Sequence, residues 1–348
     1  MSRADDERFM RLALREAARG LGHTSPNPAV GSVIVKAGRV LAKGWHRSAG
    51  RPHAEIEALR ALKKPEAARG ATLYVTLEPC STHGRTPPCT DAIMDAGFAR
   101  VVIGATDPNP RHAGRGLTIL RDAGIRVTGG ILAEECTGLN APFNKWVTTR
   151  MPLVIAKAGL SLDGRLTRPP GEGQWLTSAE ARADAMRLRT QVDAILIGAG
   201  TLRADNPRLT IRGVDEFAGK QPWRVVITRG GRLPQSAHLF GDRHRLHTLV
   251  YRGRTLRSVL RDLARRGCTS VMIEGGGDLL GAAFDARVVD RVHFYLAPLV
   301  CGGPNVIAGR GSGSPEDSVL LRNVRYERFG PDVRLSADAE YPARKKGR

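Results

Sequence analysis

The 348-residue chain has no uninterrupted apolar run long enough for a transmembrane helix, which needs about 18 residues or more. Its first residues, Met1 to Glu7, are polar and lack the basic stretch and apolar core of a signal peptide. Five cysteines are few, and odd in number, which argues against a disulfide framework. We therefore expect a cytoplasmic protein with no membrane partner.

Aromatic residues make up only 5% of the chain, and Lys plus Arg exceed Asp plus Glu by 54 to 34. A net charge of +20 attracts polyanions and phosphorylated ligands. The basic residues are dispersed, however, and no aromatic-basic platform for nucleic acid is apparent. The charge pattern favours a phosphorylated small molecule over nucleic acid.

Helical and strand patterns alternate through the first part of the chain. A hairpin is predicted around Ala37-Gly38, and one closing helix over 132–147. Together they indicate an α/β sandwich with about five strands. We place a first domain at 1–148, a second at 149–341, and a basic, disordered tail at 342–348.

The second domain alternates strands and helices, which predicts a mainly parallel, helix-covered sheet. Thr177 is the predicted N-cap of a helix, with Glu180 completing a capping box. A final edge strand is predicted at 332–336. Glu274-Gly275-Gly276-Gly277 follows a strand and precedes a helical pattern, and glycines there would admit a phosphate; a simple tight turn is the other interpretation. The segment is not a Rossmann fingerprint.

One histidine and two cysteines have the residue types of a zinc site. His53 lies in Pro-His-Ala-Glu, and Cys80 and Cys89 each follow a proline, both at expected helix starts. Three protein ligands leave the fourth position of a tetrahedral zinc for water, as catalysis requires. Glu55 can accept and return the proton of that water without being a ligand. A structural zinc with His83 as fourth ligand is the alternative.

Eight residues, 81–88, separate the two cysteines, whereas nucleoside- and tRNA-type deaminases usually have two between them. His53-Ala54-Glu55, the Thr-Leu-Glu-Pro-Cys run ending at Cys80, and Gly84-Arg85-Thr86-Pro87-Pro88-Cys89 resemble the deaminase half of the riboflavin-biosynthesis deaminase/reductase family. The resemblance continues through 160–165, 174–178, 204–207 and 273–276, and so covers nearly the whole chain.

The resemblance implies a cytidine-deaminase-like α/β/α domain followed by a dihydrofolate-reductase-like α/β domain. It implies one Zn²⁺ per chain and a phosphorylated aminopyrimidine substrate, which is deaminated to the corresponding uracil. Asn27, His46 and Arg85 match substrate contacts of the deaminase half. Thr82 is a departure, because many relatives have histidine there.

For the second half, the resemblance implies NADPH-dependent reduction of the ribosyl arm to a ribityl chain. The positions that match cofactor contacts are Gly159, Trp175, Thr201, Asp205, Thr228 and Gly276. The positions assigned to the substrate are Lys157, Gly173, Arg189, Leu209, Arg212 and Glu274. Gly173 departs from a frequent serine, and no single residue decides NADPH over NADH. A homo-oligomer is also expected.

Two other functions stay open on sequence grounds. The zinc deaminase could act on a nucleobase in nucleic acid, with a basic accessory domain; the long segment between the cysteines argues against this. A non-enzymatic regulator on a deaminase fold would have no use for the proton shuttle at Glu55.

Overall fold

The computed structural model describes residues 2–82, 87–110, 112–166, 175–214, 220–302 and 308–343. The chain divides into two compact units, Met1–Arg150 and Met151–Arg348. None of the helices in the described residues has both the length and the apolar character needed to cross a bilayer.

The described residues of the first unit form a five-stranded sheet with helices packed against it, which confirms the expected α/β sandwich. The helices are α1 (Arg3–Ala18), α2 (Ala54–Arg60), α3 (Cys89–Asp95), α4 (Arg115–Asp122), α5 (Ala133–Leu139) and α6 (Ala141–Thr149). The strands are β1 (Gly31–Lys36), β2 (Arg39–Trp45), β3 (Thr72–Leu77), β4 (Arg100–Ala105) and β5 (Arg126–Thr128), in the order β2-β1-β3-β4-β5.

The predicted hairpin is confirmed as β1 and β2, which pair antiparallel. Ala37 and Gly38 between them both have positive φ, 48° and 74°, as a two-residue hairpin turn requires. Gly31 allows α1 to lie directly on β1, because a Cβ there would be 2.0 Å from the carbonyl oxygen of Ala13.

The single closing helix over 132–147 was wrong, because α5 and α6 are separate helices that meet at Asn140. The Asn140 side chain accepts from the Ala29 N–H at 2.8 Å and donates to the Ala29 carbonyl at 2.9 Å. Pro142 lies in the first turn of α6, where it needs no intrahelical partner. The break between α5 and α6 lets the buried Asn140 side chain form hydrogen bonds with the backbone N–H and carbonyl of Ala29, just before β1.

The described residues of the second unit form an eight-stranded, mainly parallel sheet in the order β12-β13-β11-β6-β10-β7-β8-β9. The strands are β6 (Leu153–Ser161), β7 (Ala194–Gly198), β8 (Trp223–Thr228), β9 (Thr248–Arg252), β10 (Ser270–Ile273), β11 (Arg291–Ala297), β12 (Leu320–Phe329) and β13 (Asp332–Glu340). The helices are α7 (Ala179–Thr190), α8 (Ala199–Asp205), α9 (His238–Gly241), α10 (Leu256–Arg265) and α11 (Gly277–Asp285).

Two local predictions for this unit were wrong. The strand predicted at 332–336 is β13, which pairs with β11 and β12 and so is not an edge. The edge strand β12 has no buried residue, so it shows no alternation of buried and exposed side chains that a pattern search could detect. The N-cap of α7 is Ser178, not Thr177: its hydroxyl accepts from the Ala181 N–H at 3.2 Å.

Candidate functional site

His53, Cys80 and Cys89 converge in the first unit. His53 is the residue before α2, Cys80 follows β3, and Cys89 is the first residue of α3. The Nδ1 atom of His53 lies 3.3 Å from the Cys89 sulfur and 3.5 Å from the Cys80 sulfur. The expectation that both cysteines begin helices was wrong for Cys80, which lies in irregular structure after the strand.

The two thiols share one electrostatic environment. Hydrogen bonds donated by Cys89 and by His53 to the Cys80 sulfur lower the pKa of Cys80 to about 4. The same contact with Cys80, together with burial, raises the pKa of Cys89. One thiol of the pair is therefore deprotonated easily, whereas the other resists deprotonation.

Glu55 lies in the first turn of α2 and is 3% exposed. Within the described residues, its Oε2 atom has no hydrogen-bond partner although it is buried. Burial raises the pKa of this carboxyl above its ordinary value. A buried carboxyl with an unpaired oxygen is suited to receiving a proton.

The donor set fits a zinc ion. One imidazole nitrogen and two thiol sulfurs lie within 4.8 Å of one another, and these are the ligand types that zinc takes in proteins. His83, the residue of the four-ligand alternative, lies outside the described residues, as does Arg85.

Asn27 and His46 lie next to this cluster. The His46 ring meets the His53 ring edge-on, with centroids 5.3 Å apart. Its Nδ1 lies 3.0 Å from the Pro52 carbonyl and its Nε2 lies 3.2 Å from Asn27 Nδ2, so Nδ1 donates and Nε2 accepts. Burial lowers the pKa of His46, which keeps the ring neutral and suited to this pattern. His46 therefore fixes the orientation of the Asn27 amide.

Three substrate candidates of the second unit form a buried charge cluster. Arg189, on α7, donates from Nε and Nη2 to the two carboxylate oxygens of Glu274, which follows β10. Lys157, on β6, places Nζ 3.9 Å from Glu274 Oε2. Burial opposes the charge on Glu274, but Arg189 and Lys157 outweigh it and lower the pKa of Glu274 to about 2.

Two further substrate candidates follow α8. Leu209 is buried and has a φ of 50°, which is unusual for a residue with a side chain. Arg212 is exposed and donates from Nη1 to the Thr210 hydroxyl at 3.0 Å. The Thr210 carbonyl accepts from Arg189 Nη1, also at 3.0 Å, so this segment is joined to the charge cluster. Gly173 lies outside the described residues.

Most cofactor candidates lie at the carboxyl ends of the parallel strands, where open α/β sheets bind ligands. The Gly276 N–H, at the start of α11, donates to the Thr201 hydroxyl on α8 at 3.2 Å. Thr228 ends β8, and Gly159 lies near the end of β6, where a Cβ would be 3.1 Å from Thr177 Cγ2. The two remaining cofactor candidates, Trp175 and Asp205, are exposed.

Residues 3–105 match the family model of the cytidine and deoxycytidylate deaminase zinc-binding region, and residues 152–335 match that of the RibD C-terminal domain. The riboflavin biosynthesis protein RibD of Bacillus amyloliquefaciens is 40% identical, with 95% of this chain and 96% of that protein covered. The chain belongs to the RibD family. RibD of Escherichia coli K12 is likewise 40% identical, with 95% and 98% covered.

Solved structures agree over both units. Acinetobacter baumannii RibD superposes with a TM-score of 0.88 at 34% identity, covering 97% of this chain and 100% of that one. The Thermotoga maritima diaminohydroxyphosphoribosylaminopyrimidine deaminase/5-amino-6-(5-phosphoribosylamino)uracil reductase superposes with a TM-score of 0.86 at 34% identity, covering 97% and 99%. These matches confirm the expected pair of a deaminase-like and a reductase-like domain, and they identify the chain as an enzyme of the RibD family.

Sequence analysis assigned no role to Glu78, which stabilises the segment that leads to Cys80. Its buried carboxylate accepts from the N–H groups of Asp107, Gly114 and Gly116 at 3.1, 2.9 and 2.9 Å. A carboxylate two residues before Cys80 was the only available signal. The three bonds hold the segment after β4 against the residues that lead to Cys80.

Proposed function

We propose that the chain catalyses two consecutive steps of riboflavin biosynthesis. The first is hydrolytic deamination of 2,5-diamino-6-(phosphoribosylamino)pyrimidinone to the uracil, and the second is NADPH-dependent reduction of its ribosyl arm to ribityl. We assign the first step to residues 1–148 and the second to 149–341. The observation that carries the proposal is the cluster of His53, Cys80 and Cys89 beside the buried Glu55, in a chain similar over nearly its full length to RibD.

In the deaminase step, His53, Cys80 and Cys89 would hold the zinc ion. Bound zinc supplies Lewis-acid activation of a water molecule at neutral pH. Glu55 accepts a proton from the attacking water and delivers it to the departing nitrogen, which leaves as ammonia. Its pKa, raised by burial, suits a group that must hold and then release a proton.

Substrate recognition in this step is assigned to Asn27, His46 and Arg85. The Asn27 amide offers a donor and an acceptor to the pyrimidine ring, and neutral His46 keeps that amide in one orientation. Arg85 would contact the phosphate.

In the reductase step, NADPH supplies the hydride. Its contacts are assigned to Gly159, Trp175, Thr201, Asp205, Thr228 and Gly276. The substrate contacts are assigned to Lys157, Gly173, Arg189, Leu209, Arg212 and Glu274. Arg189 is engaged by Glu274, so exposed Arg212 is the better placed of the two guanidinium groups for the substrate phosphate. A homo-oligomer stays a prediction from the family resemblance.

The test is a coupled assay with zinc-loaded protein and the phosphoribosylated diaminopyrimidinone, in which ammonia release and NADPH oxidation are followed together. We expect ammonia without NADPH, and NADPH oxidation only after deamination. Absence of both signals from protein that contains zinc would contradict the substrate assignment, and deamination of single-stranded nucleic acid would then be tested. Ammonia release without any NADPH oxidation would contradict the reductase assignment alone.

A further inference from the structure

Tyr295, on β11, is a buried tyrosine of the second unit that lies beside Lys157. It is 1% exposed, and its hydroxyl donates to Asp184 Oδ2 on α7 at 2.6 Å. Asp184 also accepts from Arg334, on β13. A phenylalanine would fill the same apolar volume, so packing alone does not account for a hydroxyl here. The hydrogen bond to the carboxylate on α7 fixes the orientation of the ring.

The Lys157 ammonium lies over this ring. Its Nζ is 5.8 Å from the centroid of the Tyr295 ring, a distance at which the negative face of an aromatic ring attracts a cation. Nζ is also 3.9 Å from Glu274 Oε2, which is an ion pair but too long for a hydrogen bond. Lys157 forms no side-chain hydrogen bond within the described residues, and 19% of its side chain is exposed. Its N–H donors are therefore available to a substrate.

The positive charge on Lys157 is opposed by its surroundings. Burial lowers the pKa of the ammonium, Glu274 raises it, and the nearby cation of Arg189 lowers it again. The pKa of Lys157 consequently lies below its ordinary value. A further attraction, such as that of the Tyr295 ring, then affects how much of the lysine is charged.

The other titratable groups around Lys157 do not replace this attraction. His293 is the register neighbour of Lys157 on β11, and its pKa of about 4 makes it neutral at neutral pH. Asp184 and Arg334 are paired with each other. Arg212, in the segment after α8, only adds positive charge to the cluster.

One helix holds both groups that attract the ammonium. Asp184 and Arg189 are buried residues of α7. The first holds the hydroxyl of Tyr295, and the second holds the carboxylate of Glu274 through two hydrogen bonds. The position of the Lys157 ammonium is thus set by a ring and a carboxylate that are both fixed from α7.

We propose that Tyr295, oriented by Asp184, is a positioning residue of the reductase step that holds the charged ammonium of Lys157 toward the substrate. Hydride transfer brings negative charge to the substrate, so a fixed positive charge beside it assists the reaction. The inference rests on the proposed reductase function, in which Lys157 is assigned to the substrate. Tyr295 acts through Lys157 and needs no contact with substrate or cofactor.

The test uses zinc-loaded, full-length protein supplied with NADPH and the deaminated substrate, 5-amino-6-(5-phosphoribosylamino)uracil, so that the deaminase step is bypassed. NADPH oxidation is followed between about pH 6 and about pH 10, a range that contains the titration of a lysine with a lowered pKa. The variants are Tyr295→Phe, Tyr295→Leu and a protein with 3,4,5-trifluorophenylalanine at position 295. Fluorination keeps the shape of the phenylalanine ring close to the original but removes the negative charge from its face.

The matched control is Tyr251→Leu. Tyr251 is also a buried tyrosine on a strand, β9, and its hydroxyl donates to Asp262 on α10 at 2.5 Å. Its replacement removes the same side-chain atoms and the same kind of hydrogen bond, but from the edge of the sheet and away from Lys157.

Tyr295→Phe should keep the alkaline limb of the pH profile of kcat/KM in place, because the ring remains. Tyr295→Leu and the trifluorophenylalanine variant should lower kcat/KM about tenfold and move that limb down by about one pH unit, since the charged form of Lys157 loses its cation–π attraction. Binding of NADPH, measured by calorimetry, should stay within about twofold in all variants. Tyr251→Leu should leave the limb where it is.

An alkaline limb at the same pH in all Tyr295 variants, or no such limb in the unmodified protein, would overturn the inference. A uniform loss of rate at every pH would make Tyr295 a residue of the core only. If Tyr295→Leu does not fold, the comparison of Tyr295→Phe with the trifluorophenylalanine variant decides alone, because these two proteins differ only in fluorine atoms. Failure of the unmodified protein to oxidise NADPH with this substrate would refute the reductase function, and this inference with it.

Discussion

Arg189 and Glu274 form a bidentate ion pair, with Nε to Oε1 at 2.8 Å and Nη2 to Oε2 at 2.9 Å. Both side chains are about nine-tenths buried. The pair joins α7 to the end of β10 and keeps a carboxylate charged in the interior, which accounts for the low pKa of Glu274. Removing one partner leaves the other as an unpaired buried charge.

Arg189→Ala should therefore lower the free energy of unfolding of the second unit by about 3 kcal/mol, since Lys157 alone compensates Glu274 only in part. The double variant Arg189→Ala/Glu274→Ala should be less destabilised than Arg189→Ala, because it removes the stranded charge. Scanning calorimetry measures both. A double variant whose loss equals the sum of the two single losses would contradict the coupling.

Glu55→Gln should slow deamination by about 10²- to 10⁴-fold, because the amide cannot accept the proton of water. Bound zinc, determined by metal analysis, should stay at the level of the unmodified protein. Glu57→Gln is the matched control, since Glu57 lies on the same helix and is paired with Arg47 at 3.0 Å. Deamination at the normal rate in Glu55→Gln would remove Glu55 from the mechanism.

Cys80→Ser should reduce bound zinc well below one ion per chain, because a serine hydroxyl replaces the more acidic of the two thiols. Zinc is measured after dialysis against a weak chelator. Cys301→Ser, a change to a cysteine of the second unit, should leave zinc unchanged. If Cys80→Ser retains a full complement of zinc, Cys80 is not a ligand.

His293 should make the second unit less stable in mild acid. Its Nδ1 lies 2.8 Å from the Ser336 hydroxyl, and burial, with the cations of Arg334 and Arg291, lowers the pKa of His293 to about 4. The unfolded chain takes up this proton near pH 6.5, whereas the folded chain takes it up only near pH 4. The stabilisation is thus complete above pH 6.5 and is lost as the pH falls toward 4, with a maximum loss of about 3 kcal/mol.

Urea unfolding at pH 7 and at pH 5 measures the loss of stability expected from His293. The unmodified protein should lose more stability between the two pH values than His293→Gln, which keeps a polar group beside Ser336 but does not titrate. Carboxylates that begin to titrate as the pH falls toward 5 change the stability of both proteins equally, so their effect cancels in the comparison. Equal losses in the two proteins would show that His293 does not titrate in this range.

Local sequence patterns predicted most of the framework because each depends on near neighbours. The hairpin at Ala37-Gly38 needs two residues that tolerate positive φ, and the alternating apolar segments of both units gave the main strands and the fold class. The residue types at His53, Cys80 and Cys89 predicted zinc as the metal, because zinc binds a restricted set of ligands, among them histidine nitrogen and cysteine sulfur.

The features that the sequence missed depend on partners distant in the chain. Helix α5 ends at Leu139, and the side chain of the next residue, Asn140, is hydrogen-bonded to Ala29, 111 residues away. Strand β12 is exposed along its length, so only its pairing with β13 makes it a strand. Glu78 acquires its role from the backbone of a segment that begins 29 residues later.

The sequence by itself determined which atoms are available for chemistry: the imidazole and two thiols, the carboxyl of Glu55, and the many arginines. Tertiary structure decided which of these atoms act together, because convergence of His53 with Cys80 and Cys89, 27 and 36 residues apart, requires the sheet to be built first. It also decided how each group is charged. Burial and nearby charges, which set a pKa, exist only once the chain is packed.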